Sequence, residues 1–382
     1  MIRFAFSRQI IMKRIIVFLL ILFCINQGNA QVFNSANLDT NDVKFDGKLS
    51  IHGFVDAYYL YDFNQPRAEV TPYQVSSNRH NEVNINLVYA AFRYNSSRIR
   101  AAFVPAFGTY MNNNYASEPQ TLKNLLEANA GIKLFKNKEI WLDVGVMTSP
   151  ITNESPVSKD QFLYSRSMAA EYSPYFVTGA KVSIPLSAKF STNFFLLNGW
   201  QQTVTHNSDK SVALQMEFRP TNNWLFDLNL YTGNAANNPR PDFRQRHFID
   251  FYTIYQSSNK RLNASFDAYY GIQKLKDKNG DLSESNWWNM NFQTLYWFHH
   301  NHGFGSRLEY LNDPSNMMVT PLYTNGFQTA GYTLAYNYKV LENCMLRFDC
   351  KYYQSKQNVF LDSKENPSKQ SLQVIGNFSV WF

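Results

Sequence analysis

The sequence predicts an all-β chain, a transmembrane antiparallel up-and-down β-barrel of about sixteen strands. Three observations lead there. Apolar and polar residues alternate with a period of two along segment after segment, as in strands with two different faces. The links between those segments alternate short and long without a break, as hairpin turns and loops do at the two ends of a barrel. An apolar run too short to cross a bilayer follows basic residues at the N-terminus.

The N-terminal element comes first. Arg3, Arg8, Lys13 and Arg14 precede an apolar run over 15–25, and Gly28 and Ala30 stand before a cut at Gln31. This is the layout of a cleavable signal peptide over 1–30. A lipoprotein reading through Cys24 meets a bulky Phe23 where a small residue is wanted. Residues 31–47 are a short periplasmic segment, too few to fold a plug domain, and 48–382 form the barrel. The net charge is +7, from 36 basic and 29 acidic residues. Removing 1–30 takes away four positive charges and leaves 32 − 29 = +3, so the basic excess gives no argument for nucleic acid. Cys344 and Cys350 remain on one strand, about 20 Å apart, beyond the roughly 7 Å a disulfide allows.

Sixteen strands follow, near 48–61, 83–94, 99–110, 125–135, 140–148, 176–184, 189–199, 211–219, 224–232, 248–256, 261–271, 287–298, 303–311, 327–339, 344–353 and 371–382. Val212, Leu214, Met216 and Phe218 oppose Ala213, Gln215, Glu217 and Arg219. Leu346, Phe348, Cys350 and Tyr352 oppose Arg347, Asp349 and Lys351. A soluble sandwich also alternates, but its links mix lengths and jump between sheets. Here short links at 95–98, 136–139, 185–188, 220–223, 257–260, 299–302 and 340–343 interleave with long ones at 62–82, 111–124, 149–175, 200–210, 233–247, 272–286, 312–326 and 354–370. The last strand ends in Phe382, a terminal aromatic of the kind read by the outer-membrane barrel assembly machinery.

Hydrocarbon cannot satisfy backbone polar groups, so the closed sheet turns its apolar face to outer-membrane lipid and its polar face inward. The pore lining expected on this basis includes Asp56, Arg100, Glu127, Lys133, Glu217, Arg219, Asp267, Arg307, Glu309, Arg347, Asp349 and Lys351. Sixteen strands leave a wet channel. The link 149–175 is the longest and the third on its side, the position at which general porins fold a loop inward. Its Glu154, Lys159, Asp160, Arg166 and Glu171 are the expected constriction, and both signs leave the ion selectivity open. Tyr58, Trp141 and Trp297 are candidate lumenal aromatics for a more selective channel.

A family resemblance rests on particular stretches. HGFVDAYYLYDFNQP at 52–66 and RHNEVNINLVYAAFRY at 79–94 resemble the start of the putative beta-barrel porin-2 (OmpL-like) family. YASEP at 115–119, EANAGIKL at 127–134, NESPVSKD at 153–160, YSRSMAAEYSPYF at 164–176, LLNGWQ at 196–201 and FIDFYTIYQ at 248–256 are similar too. The resemblance runs from about residue 45 to the C-terminus and implies a bacterial outer-membrane barrel with a pore role. The NES…SKD…YSRS stretch is its most specific part and falls on the expected constriction loop.

Enzymatic readings are poorly supported. His299, His300 and His302 lie in a tight turn, with no Cys beside them and no acid before Glu309, and read as a polar turn rather than a metal site. His52 and His247 stand near Asp56 and Asp250, as scaffold histidines often do. No G-x-S-x-G, H-E-x-x-H or phosphate-cradling Gly loop occurs. The expectation is a passive porin for small hydrophilic solutes, with no cofactor, no metal and no catalytic residue. The alternative is a surface-binding adhesin barrel with an occluded lumen. A homo-trimer is common among sixteen-stranded porins, although no subunit-contact signature stands in the sequence.

Overall fold

The computed structural model describes residues 47–382 apart from 120, 206, 238, 239, 322 and 323. The expected signal peptide and residues 31–46 lie outside the described residues. The strands are β1 (Lys48–Asp62), β2 (Val83–Asn95), β3 (Ile99–Phe107), β4 (Leu125–Phe135), β5 (Lys138–Thr148), β6 (Phe176–Pro185), β7 (Phe190–Leu197) and β8 (Ser211–Thr221). They continue as β9 (Trp224–Asn234), β10 (Phe243–Gln256), β11 (Leu262–Lys276), β12 (Leu282–Trp297), β13 (His302–Asp313), β14 (Phe327–Leu341) and β15 (Cys344–Ser355). A two-residue hairpin, β16 (Phe360–Leu361) and β17 (Pro367–Ser368), precedes β18 (Gln370–Trp381).

β1–β15 and β18 form one closed barrel of sixteen strands, each antiparallel to its neighbours. β18 closes the ring against β1, with Phe54 opposite Trp381 and Asp62 opposite Gln373. Closure removes every sheet edge, which is what lets strands sit in hydrocarbon.

The two faces divide as the alternation requires. Phe292, Leu308, Tyr332, Leu334, Phe348 and Phe378 point outward and are exposed. Asn291, Gln293, Arg307, Thr333, Arg347 and Asn377 point inward on the same strands and are buried. Near the turn ends the outer face carries Tyr94, Phe135, Trp224, Tyr296, Phe304 and Tyr336, an aromatic girdle at one membrane interface.

Two expectations need correction. The third strand stops at Phe107 rather than running to 110, because Gly108 turns the chain with φ 127° into helix α1 (Thr109–Asn114). Tyr110 and Met111 of α1 look like a strand continuation in sequence, but they are packed inside the barrel. The expected long link 272–286 is strand for most of its length, paired from Gly271↔Trp287 out to Lys276↔Leu282 around a tight turn. The ribbon there has polar residues on both faces, so its alternation fades and it reads as a loop.

Candidate functional site

The segment 149–175 folds into the barrel and lies along its inner wall. Two short helical turns shape it, a 3₁₀ turn at Ser158–Asp160 and α2 at Met168–Glu171. Ser167 caps α2, its Oγ accepting from the Ala170 N–H at 3.2 Å. Prolines at 150, 156 and 174 keep the rest extended.

The wall of β9–β15 and β1 holds this segment through charged and amide side chains. Asn229 Nδ2 donates to the Pro150 carbonyl at 3.1 Å, and Asp250 accepts the Thr152 N–H at 3.0 Å. Asn153 Nδ2 donates to Ser265 Oγ at 2.9 Å and to Asn291 Oδ1 at 3.2 Å. Arg307 Nη1 donates to the Ser165 carbonyl at 2.6 Å and Nη2 to the Arg166 carbonyl at 2.9 Å. Lys351 Nζ donates to the same Arg166 carbonyl at 3.0 Å, and Asn337 Nδ2 to the Phe162 carbonyl at 2.8 Å. Asp349 accepts the Ser165 N–H at 2.7 Å and Glu309 the Met168 N–H at 2.5 Å. Arg347 Nη2 donates to Ser158 Oγ at 2.9 Å, and that hydroxyl donates to Asp56 at 3.0 Å. Those from Arg307 and Lys351, and those to Asp250, Asp349 and Glu309, are charge-assisted bonds to backbone groups that would otherwise be buried unpaired.

The opposite wall, β2–β8, carries a ladder of ion pairs toward the turn end. Arg93 is bidentate on Glu127, at 2.6 and 3.0 Å. Arg100 pairs with Asp143, which also lies 3.7 Å from Lys181 Nζ, and the Arg100 guanidinium sits 4.5 Å over the Trp141 ring. Lys133 pairs with Glu139, and Arg219 Nε donates to Glu217 at 2.8 Å. Here the side chains reach water. Arg93, Arg100 and Arg219 are 28%, 23% and 34% exposed, over acids that are 8%, 4% and 7% exposed.

The neighbouring loops knit over 149–175. Glu171 accepts the Val75 and Ser76 N–H groups at 2.6 and 3.3 Å. Burial pushes its carboxyl above the ordinary range, against the pull of Arg166 and Lys351. Tyr164 and Ser77 share a hydroxyl hydrogen bond at 2.6 Å. Tyr115 stacks on Phe176 at 4.2 Å, and Glu118 accepts the Thr203 and Val204 N–H groups at 2.8 and 3.1 Å.

The residues singled out from sequence divide between these settings. Glu154 lies 3.5 Å from Arg307 and accepts the Ser167 N–H at 2.8 Å. Lys159 and Asp160 form an adjacent pair at 3.3 Å. Arg166 is buried, with Nη1 donating to the Ser155 carbonyl at 2.6 Å and its guanidinium 4.0 Å over the Tyr175 ring. Asp56, Arg307, Glu309, Arg347, Asp349 and Lys351 lie beneath the inserted loop, whereas Arg100, Glu127, Lys133, Glu217 and Arg219 belong to the opposite ladder. Asp267 is buried on β11 in the same loop-covered wall, where it accepts from Asn291 Nδ2 at 3.3 Å. Tyr58 and Trp141 point inward and are buried, while Trp297 lies under Lys339 Nζ at 4.3 Å near the rim.

Sequence reading missed Arg93, although it shares the parity of the inward Ala91 and a wider parity count would have found it. It also missed that 63–82 folds inward, since no periodic signal marks an irregular loop. The three turn histidines have rings 4.1 and 5.6 Å from His299, and His302 Nδ1 shares a hydrogen bond with Tyr336 Oη at 2.6 Å.

Comparison with known proteins agrees with the geometry. The family profile for putative beta-barrel porin-2, OmpL-like, matches residues 48–380. The fold is similar to that of OmpF of Salmonella typhi, solved in complex with daunomycin, at a TM-score of 0.59 and 12% identity, covering 92% of this chain and 99% of that one. The outer-membrane channel DcaP of Acinetobacter baumannii superimposes at 0.59 with 11% identity, covering 88% and 97%. An anion-selective porin from Comamonas acidovorans does so at 0.56 with 9% identity, covering 88% and 100%. No curated protein matches the sequence.

Proposed function

Because the chain belongs to the putative beta-barrel porin-2, OmpL-like, family and is an outer-membrane porin, we propose that small hydrophilic solutes diffuse between its inserted loop and its β2–β8 wall. One observation carries this reading. Segment 149–175 is bound to one side of the bore, and the ion-pair ladder on the other side keeps Arg93, Arg100 and Arg219 partly in water. Passive permeation needs a polar, hydrated path with local charge and a set width. It needs no covalent step, so the reading is a channel rather than an enzyme.

Glu154, Lys159, Asp160, Arg166 and Glu171 set the width in this reading mainly by holding the loop in place. Asp56, Arg307, Glu309, Arg347, Asp349 and Lys351 anchor it from the wall. The chain reaches the outer membrane with a leader over 1–30, is inserted by the barrel assembly machinery through the strand ending at Phe382, and works as a homo-trimer.

Planar-bilayer recording on the refolded chain tests the reading. The expected outcome is stepwise conductance that falls as neutral solutes of increasing size fill the bore. Pure protein that inserts but gives no steps would favour a surface-binding barrel with an occluded lumen. Replacing both Lys159 and Arg166 by Ala should raise conductance and alter ion selectivity. Unchanged values would remove the loop from the permeation path.

A further inference from the structure

The solvated side of the bore carries a row in which cations outnumber acids. Arg100 on β3, Gly131 on β4, Asp143 on β5 and Lys181 on β6 stand directly opposite one another across four successive strands. Neighbouring strands lie about 4.8 Å apart, so roughly 10 Å of sheet separates Arg100 from Asp143. Gly131 lets the two side chains meet. A Cβ at 131 would overlap Asp143 Oδ1 and crowd Arg100 Cγ at 3.1 Å. Over that gap Arg100 Nε donates to Asp143 Oδ1 at 2.6 Å and Nη2 donates to Oδ2, while the guanidinium covers the Trp141 ring at 4.5 Å. Lys181 Nζ stands 3.7 Å from the same carboxylate. Two cations therefore share one acid.

The adjacent pair leaves that excess standing. Arg93 lies opposite Ala102, two residues along the inner face from Arg100, and is bidentate on Glu127. Arg93, Arg100 and Lys181 thus stand against Glu127 and Asp143, three cations to two acids. The acids also lie deeper. Asp143 and Glu127 are 4% and 8% exposed, beneath Arg100, Lys181 and Arg93 at 23%, 14% and 28%. Elsewhere on this wall Lys133 with Glu139 and Arg219 with Glu217 add one charge of each sign, as Lys159 with Asp160 does on the loop. Asp227, the next acid along the wall, is buried under Gln215 and Asn229, and the carboxylates of Glu154 and Glu171 are buried in the loop. An ion in the bore meets the outer member of each pair first, and Coulomb attraction falls with distance, so the outer layer sets the sign.

We propose that the Arg100–Asp143–Lys181 row makes the channel prefer small anions to cations of equal size. The inference rests on the reading that solutes pass along the β2–β8 wall, and it adds the sign of charge that this path admits. Exposed charges are screened over about 8 Å at physiological ionic strength. One excess charge therefore acts on what passes beside it and not on the whole bore. A univalent ion about 5 Å from a unit charge in water has its local concentration changed roughly fourfold. The preference is accordingly modest and weakens as salt rises. It needs no dedicated ligand pocket, so chloride, phosphate and small carboxylates all respond to it.

Planar-bilayer recording on the refolded full chain in a potassium chloride gradient tests the sign. At about 0.1 M salt the wild type should show a zero-current potential that favours chloride over potassium by about two- to fourfold, falling toward one near 1 M. R100Q/K181Q removes both cations and should carry the ratio below one. D143N removes the shared acid and should raise it above the wild type. Opposite shifts from the two variants distinguish a field effect from a loss of structure. Should R100Q/K181Q fail to refold, D143N and the K181Q single variant carry the same opposed expectation. A wild type that conducts with a potassium preference, or with none, would overturn the proposal and leave the pore reading in place. So would variants that keep the wild-type ratio. A chain that inserts without conducting would remove the permeation path and this preference with it.

Discussion

Arg307 shows how much one side chain carries here. Its guanidinium is buried, bonded to two loop carbonyls, and set between Glu154 at 3.5 Å and Glu309 at 3.1 Å. Replacement by Met removes the compensating charge from both acids. Breaking a buried ionic group in this way costs about 3–5 kcal/mol. Arg307→Met should lower the unfolding free energy measured by urea titration by that amount, whereas an equally stable variant would mean the acids find other partners. Glu171 gives a pH prediction. Its folded-state pKa is raised above the ordinary 4.5 by burial. A raised carboxyl binds its proton more tightly in the folded chain, so its contribution is most favourable below 4.5 and declines as pH rises through the folded value. Glu171→Gln should flatten that decline when thermal midpoints are compared from acid to neutral pH. A variant that keeps the wild-type slope would remove Glu171 as its source.

At the scale of elements, the period of two is the decisive signal, because adjacent residues of a strand meet lipid and lumen in turn. Phe292 on β12 faces out opposite Leu308, and its neighbours Asn291 and Gln293 face in. Phe292→Arg near the bilayer midplane should cost about 2–4 kcal/mol. Reversible unfolding in lipid would measure it, and a cost near zero would place Phe292 away from hydrocarbon. The same signal misleads where both faces meet water, as in the outer ends of β11 and β12, and where an apolar run turns helical, as in α1. The inserted loop has no period at all. Its length and chain position were readable, but its path was not, because that path is set by side chains of strands far away in sequence.

For the whole molecule, closure is the critical event. Gly53 and Phe382 exchange backbone hydrogen bonds at 2.8 and 3.1 Å where the first and last strands of the barrel meet. The Phe382 ring occupies the place a Cβ on Gly53 would take, at 2.2 Å, so a larger residue at 53 would displace the ring. The ring is nevertheless 75% exposed. Deleting Phe382 should reduce the fraction of chain that migrates as a heat-modifiable barrel in membranes. An undiminished fraction would show that closure and recognition run through the rest of β18.

The sequence alone determined the barrel, its strand number, the sign of each face and which segment is long enough to enter the lumen. Those properties follow from local alternation and link length, which short-range sterics and the exclusion of polar groups from hydrocarbon enforce. Only the tertiary structure decided which charges meet. Asp56 reaches Ser158, Arg307 reaches Ser165, and Asp250 comes to lie beside Asp267, through barrel closure and loop insertion that bring distant stretches together. Pairing across a bore depends on curvature and shear, and a single strand carries no record of either.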